Sequence, residues 1–190
     1  MDAPQSGGDN LHAITKVLVD IRQGEPEAKE RLMPLVYDQL KLLARKRADK
    51  SHTLHPTEIV HEAWMKLAPG LDRINDRKHF FAAAAVSMRH ALVDYARAQD
   101  RQKRGGGANK VTFNEEMGPF SRTPPDLVVV NECVEELQRI NPRHAKVIEL
   151  RLFGGLTIDE TAEELGVSHS TVESDWRMAR AWLCKQLSEH

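Results

Sequence analysis

Apolar residues recur at helical spacing through most of the chain. Leu11, Ile14, Val17, Leu18 and Ile21 form one stripe, and Leu32, Leu35, Val36, Leu40 and Leu43 form a second, each fitting a helix with one buried face. Gly24 and Pro26 separate them. His55-Pro56-Thr57-Glu58 then reads as a helix start, since proline in a first turn gives up an N–H that would lack a helical partner anyway. Its apolar face continues through Ile59, Ala63 and Leu67 until Pro69-Gly70, and a fourth helix is predicted from about Lys78 to Arg101. After a gap, Leu127, Val130, Val134, Leu137 and Ile140 make a stripe that stops at Asn141-Pro142. Val147, Ile148, Leu150 and Leu152 make another that stops at Gly154-Gly155. Two more helices follow, one capped at Thr157 or its neighbour and carrying Ile158, Ala162 and Leu165, the other capped at Ser168 and carrying Val172, Trp176, Ala179 and Leu183. No run sustains a period of two, so an all-α fold is predicted.

Between the two sets of helices the pattern breaks. Gly105-Gly106-Gly107 and Thr123-Pro124-Pro125 bracket a stretch without helical periodicity, which reads as a linker. The predicted layout is a flexible N-terminus over 1–10, a helical domain over 11–104, a linker over 105–126 and a second helical domain over 127–190. Charge follows the same division. Residues 1–104 carry 18 basic and 14 acidic side chains, a balance of +4, and residues 105–190 carry 9 and 14, a balance of −5, within a net charge of −1 over 190 residues. Positive charge bunches in Lys41 to Arg47 and in Arg97 to Arg104, which suits either a polyanion-facing surface or a solvated helix face.

Several function classes are excluded or weakened. The longest apolar run, Phe80 to Val86, falls far short of the roughly 20 residues that a membrane-spanning helix needs. The residues from Met1 to Gly8 lack the basic and apolar regions of a secretory signal, so a cytoplasmic protein is expected. Cys133 and Cys184 are too few for a disulfide framework or a cysteine-based zinc site and read as packing residues. His52, His55 and His61 lie near Glu58 and Glu62, but His61-Glu62-Ala63-Trp64-Met65 lacks the second histidine of a zincin helix, so no metal is expected. Gly105-Gly106-Gly107 lacks the Lys-Ser or Lys-Thr of a phosphate-binding loop, and no nucleophile and base pair stands out. Neither an enzyme nor a cofactor is therefore expected.

The most informative segment is Thr157 to Val172, which has the form of a helix-turn-helix. Ala162 is small where two helices cross, Gly166 permits a turn with positive φ, and Leu165, Val167 and Val172 can fill the core between the helices. In that geometry Ser168 starts the second helix, and His169, Ser170, Glu173, Ser174 and Arg177 face the major groove. The hydroxyls of Ser168 and Thr171 suit phosphate oxygens or the helix cap. Arg177 is the best bidentate donor to a guanine, and Glu173 could accept from a cytosine amine or repel wrong sites.

Ile140-Asn141-Pro142-Arg143-His144-Ala145-Lys146-Val147-Ile148-Glu149-Leu150-Arg151, the helix-turn-helix, and Thr171 to Arg180 together resemble the promoter-reading domain four of bacterial sigma factors. Glu58-Ile59-Val60-His61-Glu62-Ala63-Trp64-Met65-Lys66-Leu67 is similar to the helix with which sigma domain two grips the β′ clamp of RNA polymerase. Ser87-Met88-Arg89-His90-Ala91-Leu92-Val93-Asp94-Tyr95-Ala96-Arg97 is similar to the helix that reads and opens the −10 element. The order of these motifs, with no third domain between them, is that of the extracytoplasmic-function (ECF) sigma factors. The resemblance implies two small helical domains, partners in core RNA polymerase (β′ clamp and β flap) and promoter DNA, and regulation by an anti-sigma factor or a Ser/Thr kinase. It also implies polymerase contacts at Thr57, Glu58, His61 and Glu62, and −35 reading by the helix from Ser168. For −10 opening, the matching helix supplies Arg89, His90, Tyr95, Arg97, Arg101, Lys103 and Arg104 as phosphate and base contacts. Asp94 is expected to orient Arg97 or Arg101 or to pack inside the domain, and Phe80 and Phe81 to be core residues.

One departure from the family pattern bears on mechanism. Where the family usually carries an acidic cluster, this chain has His55-Pro56-Thr57-Glu58 and keeps one carboxylate. A phosphate on Thr57, with a charge of about −1.5 to −2 in the first turn of a helix, would restore the field. The acidic helix bearing Asp159, Glu160, Glu163 and Glu164 sits badly with an autonomous DNA-binding module, which usually shows a basic face. A stand-alone helix-turn-helix repressor or activator is the alternative, and it differs in that it binds operator without polymerase.

Overall fold

The computed structural model describes residues 6–47, 55–102 and 126–189, with side chains over 12–45, 55–98 and 126–189. Eight α-helices run along these segments: α1 (Ser6–Arg22), α2 (Ala28–Arg47), α3 (Pro56–Leu67), α4 (Arg77–Gln102), α5 (Leu127–Ile140), α6 (Pro142–Ile148), α7 (Ile158–Leu165) and α8 (His169–Ser188). A 3₁₀ turn over Ala68–Arg73 follows α3, and a π-helical turn over Glu149–Phe153 follows α6. No β-strand occurs among the described residues, in agreement with the all-α expectation. The linker stretch 105–125, Lys103, Arg104 and His52 lie outside the described residues.

Helix boundaries follow local chemistry. Asp126 accepts a hydrogen bond from the Val128 backbone N at 2.7 Å to open α5, and Asn141 accepts from His144 N at 3.2 Å to open α6, with Pro142 in its first turn. Such caps satisfy N–H groups that have no partner within the helix. Thr157 and Glu160 form a reciprocal capping box on α7. Gly166 ends α7 at φ 64°, in the left-handed region that glycine enters without a Cβ clash. One local feature differs from the sequence expectation: helix α1 begins at Ser6, ahead of the stripe that opens at Leu11. Helix α2 continues through Pro34, as its stripe predicts, and the exposed position of Pro34 leaves buried Leu32, Val36 and Leu40 intact.

Helix α4 is the centre of the molecule. Phe80, Ala84, Met88, Ala91 and Leu92 are buried, and so are Phe81, Ala82, Ala85, Val93 and Ala96. These positions cover more than half of the helix circumference and leave one stripe, with His90, Asp94 and Arg97, exposed. It touches α1 and α3 on one side and α5, α7 and the π-helical turn on the other. Phe80 and Phe81 meet edge to face with ring centroids 5.2 Å apart, which bears out their expected core role. The main core therefore runs unbroken from Ile14 in α1 to Leu183 in α8. The helix-turn-helix adds a small core of its own, in which Val147, Ala162 and Val172 are buried against Ile158, Leu165, Val167 and Trp176.

Burial pushes the Cys133 thiol up to about 11, with the Glu136 and Glu132 carboxylates adding to the shift. The thiolate is the reactive form. Native protein at pH 8 should therefore leave Cys133 unlabelled by a maleimide, while unfolding in guanidinium makes it react. Mass spectrometry of the labelled peptides reads this out, and rapid native labelling of Cys133 would show that α5 is not packed as described.

Candidate functional site

Helix α8 presents the clearest surface. Val172, Asp175, Ala179 and Leu183 point inward at helical spacing, which leaves His169, Ser170, Glu173, Ser174 and Arg177 exposed together on the opposite face. All five were predicted to face a DNA groove, and one continuous face carries them. The Ser168 hydroxyl accepts from Thr171 N at 3.2 Å and lies 2.8 Å from the Thr171 hydroxyl and 3.0 Å from that of Ser170. Of the two roles open to Ser168 and Thr171, the cap is the one occupied here. The His169 ring stands 3.6 Å from Asp159 and 3.7 Å from Glu173, so neighbouring carboxylates temper this otherwise neutral face.

A buried carboxylate fixes the angle of α8. Asp175 accepts from Arg143 Nε at 2.6 Å and Arg143 Nη2 at 3.1 Å, and its Oδ1 lies 3.3 Å from His144 Nε2. This fork joins the start of α6 to the middle of α8, and the Asp175 carboxylate raises the Arg143 guanidinium pKa further. Arg151 stacks its guanidinium 5.0 Å from the Trp176 ring centroid, a second tie between the π-helical turn and α8. Neither Asp175 nor Trp176 was singled out as a positioning residue from sequence, although an Asp inside an apolar helix stripe is a usable signal.

A second surface lies between α3 and α4. Thr57, Glu58, His61 and Glu62 are exposed on α3 and, with Ile59, Ala91, Asp94, Tyr95 and Ala98, line a groove of about 620 Å³. The structure thus brings the four predicted polymerase-contact residues onto one wall. His55, the N-cap of α3, makes no side-chain cap, and Pro56 fills the first helical position, so Thr57 stands in an uncapped first turn. The Thr57 hydroxyl is 3.4 Å from the Tyr37 hydroxyl on α2, a contact that, with Lys41, holds the Tyr37 phenol below its usual range. Lys41 Nζ itself sits 5.1 Å from the centre of the Tyr37 ring.

The −10 candidates are divided by α4. His90 and Arg97 are exposed and Tyr95 is half-buried in the groove wall. Arg101 belongs to α4, but its side chain, like Lys103 and Arg104, lies outside the described residues. Arg89 departs from the expected exposed position. Its Nε donates to Glu149 Oε1 at 3.0 Å and its Nη1 donates to Asn131 Oδ1, with both side chains of the Arg89–Glu149 pair about one-tenth exposed. Asp94 also departs from expectation, pairing at 2.8 Å with Lys66 of α3 rather than with an arginine of its own helix. Among the described residues no cluster of three His, Cys, Asp or Glu side chains is arranged to hold a metal, and no helix is long and apolar enough to cross a membrane.

A family model described as ECF sigma factor matches residues 11–189. Comparison with curated proteins gives no match.

Removing the Asp175 carboxylate breaks the link between α6 and α8 and leaves the exposed Arg143 guanidinium to water. Asp175→Ala should lower the thermal midpoint in calorimetry, and Asp175→Asn by less. An unchanged midpoint in both would show that the link does not hold α8 in place.

Proposed function

The chain belongs to the ECF sigma factor family and directs transcription as an alternative sigma factor, and we propose that it divides the work between two helical units. Members of this family bind core RNA polymerase and promoter DNA and are not enzymes. In this reading residues 11–104 act as sigma domain two, 105–126 as the connection and 127–190 as sigma domain four. Thr57, Glu58, His61 and Glu62 meet the β′ clamp. His90, Tyr95 and Arg97, continued by Arg101, Lys103 and Arg104, serve −10 recognition and opening, joined by Arg89 when it is uncovered. The face of α8 reads the −35 element while domain four rests on the β flap. The observation that carries the reading is the α8 face, where an exposed row from His169 to Arg177 opposes a fully packed inner row.

A helix in the major groove discriminates bases through side chains in its first turns. Arg177 supplies the forked donor for a guanine, and the Ser168 cap orients the free N–H groups at the start of α8 toward phosphate. Opening of the −10 element then needs cations for the backbone and a flat surface for an unstacked base, which Arg97 and Tyr95 supply from different faces of α4. If Arg177 makes a bidentate guanine contact, Arg177→Ala should weaken promoter binding by the polymerase complex about 10- to 100-fold, for a contact worth about 1–3 kcal/mol. Gel-shift titration measures this, and equal affinity for wild type and variant would remove Arg177 from the reading surface.

Polymerase binding in this reading is switched at Thr57. A Ser/Thr kinase transfers the γ-phosphoryl group of ATP to the Thr57 oxygen, releasing ADP and a proton. The product adds about −1.5 to −2 charges at the positive end of α3, beside Glu58, where the sequence otherwise lacks carboxylates. What supports this is the exposure of Thr57 and the uncapped start of α3. A pull-down of purified core polymerase with unmodified protein, kinase-treated protein, Thr57→Asp and Thr57→Ala tests it. The treated and Asp forms should be retained and the Ala form lost. Equal retention of Asp and Ala forms would overturn the switch, and failure of every form alongside tight binding to operator DNA alone would favour the stand-alone regulator.

A further inference from the structure

Three cations of α4 are already occupied, while Arg97 stays exposed. Along the helix, Arg77 lies 4.0 Å from Glu160, Lys78 pairs with Glu163, and Arg89 bonds to Glu149 and Asn131. The acids and amide come from α7, the π-helical turn and α5. At 1.5 Å per residue the row from Arg77 to Arg89 extends over about 18 Å. Small residues let the two sides meet closely between the charges. A Cβ on Gly154 would stand 2.9 Å from that of Ala85, and one on Gly155 would stand 2.5 Å from Leu43 on α2. Lys146 adds a second cation to Glu149 at 3.2 Å, so the carboxylate that holds Arg89 is itself fully engaged. Chemically, these carboxylates offer α4 what nucleic-acid phosphates would offer, anions opposite its cations: two at the start of the helix and one at Arg89.

The arrangement is incompatible with simultaneous reading of both promoter elements. The two elements are separate stretches of duplex, whereas α4 and α7 are in direct contact. The chain allows the change: the residues from Gln102 to Asp126 can reach about 80 Å when extended.

We propose that the acidic face formed by Asn131, Glu149, Glu160 and Glu163 is an intramolecular substitute for nucleic acid that closes the free protein and withholds Arg89 until α4 exchanges these groups for DNA phosphates. The energetics suit a reversible lock. The Arg77 and Lys78 pairs are partly exposed, so each contributes little and is screened by salt. The Arg89–Glu149 pair is buried, and removing one partner alone leaves a stranded charge. Separating the two faces returns both charges to water, which offsets most of the lost attraction. The pair thus fixes the register of the closed form without making it irreversible.

The closure itself stands without the promoter-reading assignment, and the exchange for DNA rests on that assignment. The test uses the full chain in three forms: wild type, the triple variant Glu149→Gln/Glu160→Gln/Glu163→Gln, and the charge swap Arg89→Glu/Glu149→Arg. Glutamine at 160 keeps the capping box. Small-angle scattering should give the wild type and the swap a radius of gyration near that of a single body of 190 residues, about 16 Å. The triple variant should be clearly larger with unchanged helix content by circular dichroism. A fluorescein-labelled 20-nucleotide oligo(dT) should bind the triple variant at least fivefold more tightly than either compact form. A wild type that is already extended, or a triple variant as compact and as weak in oligonucleotide binding as the wild type, would overturn the lock. If the triple variant loses helix content, an expanded swap would overturn it as well and a compact swap would uphold the charge register. Retention on core polymerase is measured in parallel. Expansion of the triple variant without polymerase binding by any form, phosphorylated ones included, would leave the lock standing and sink the sigma reading, and the reverse pattern would do the opposite.

Discussion

Helix α4 must be buried over most of its circumference and still carry cations, and most of the structure can be read as the solution to that conflict. Its middle turns supply Phe80, Met88 and Leu92 to the core, and Ala85 lies against Gly154. His90, Asp94 and Arg97 keep to the one exposed stripe, and a cation on the packed part of the circumference must meet an anion. Arg89 does so, and Glu149 and Asn131 are held at its end by the π-helical turn and α5. Were Arg89 left unpaired in that position, desolvation would cost more than the neighbouring apolar contacts return. The π-helical turn follows from the same demand. Widening the end of α6 over Glu149–Phe153 places Glu149 toward α4 while Leu150, Leu152 and Phe153 stay buried.

The second half of the chain meets a different constraint, the precise crossing of two short helices. Ala162 and Gly166 allow the approach and the turn, and Val172 with Val147 fills the space beneath. Such a small core contributes little stability by area alone. The Asp175 fork to Arg143 and His144 adds direction to it, since a bidentate link restricts rotation of α8 in a way that apolar contact does not. Direction is what a recognition helix needs, because base reading depends on where its first turns point.

How much of this was legible from sequence depended on whether the signal was local. The apolar stripes give all eight helices, Gly166 and Thr157 give the turn and its cap, and the α8 face follows from the spacing of Val172, Ala179 and Leu183. Phe80 and Phe81 read correctly as core. The misread residues are those whose partner is distant in the chain. Arg89 in a basic helix looks like a DNA contact, because sequence spacing cannot tell a solvated cation from one that meets a carboxylate 60 positions away. Asp94 reads as the partner of an arginine on its own helix or as a packed residue, whereas it pairs with Lys66 of α3. Faint clues existed: Asn131 and Glu149 interrupt stripes that are otherwise apolar, and a polar residue on a buried face needs a partner. The first turn of α1 escaped because no apolar stripe marks it ahead of Leu11.

The acidity of α7 ties these strands together. Carboxylates on the first helix of a DNA-binding motif repel the DNA that the second helix reads, and they weaken any module that works alone. Paired with Arg77 and Lys78 on α4, the same charges have a partner within the molecule. Promoter binding by a sigma factor is intramolecular once polymerase holds it, so a DNA-binding unit within it can tolerate modest intrinsic affinity when effective concentration supplies the remainder. An acidic α7 is therefore affordable only in a protein whose DNA contacts are made as part of a larger assembly. Such a charge pattern favours self-association of the free chain over stray binding to DNA, and it yields when several polymerase and DNA contacts replace a few exposed ion pairs at once.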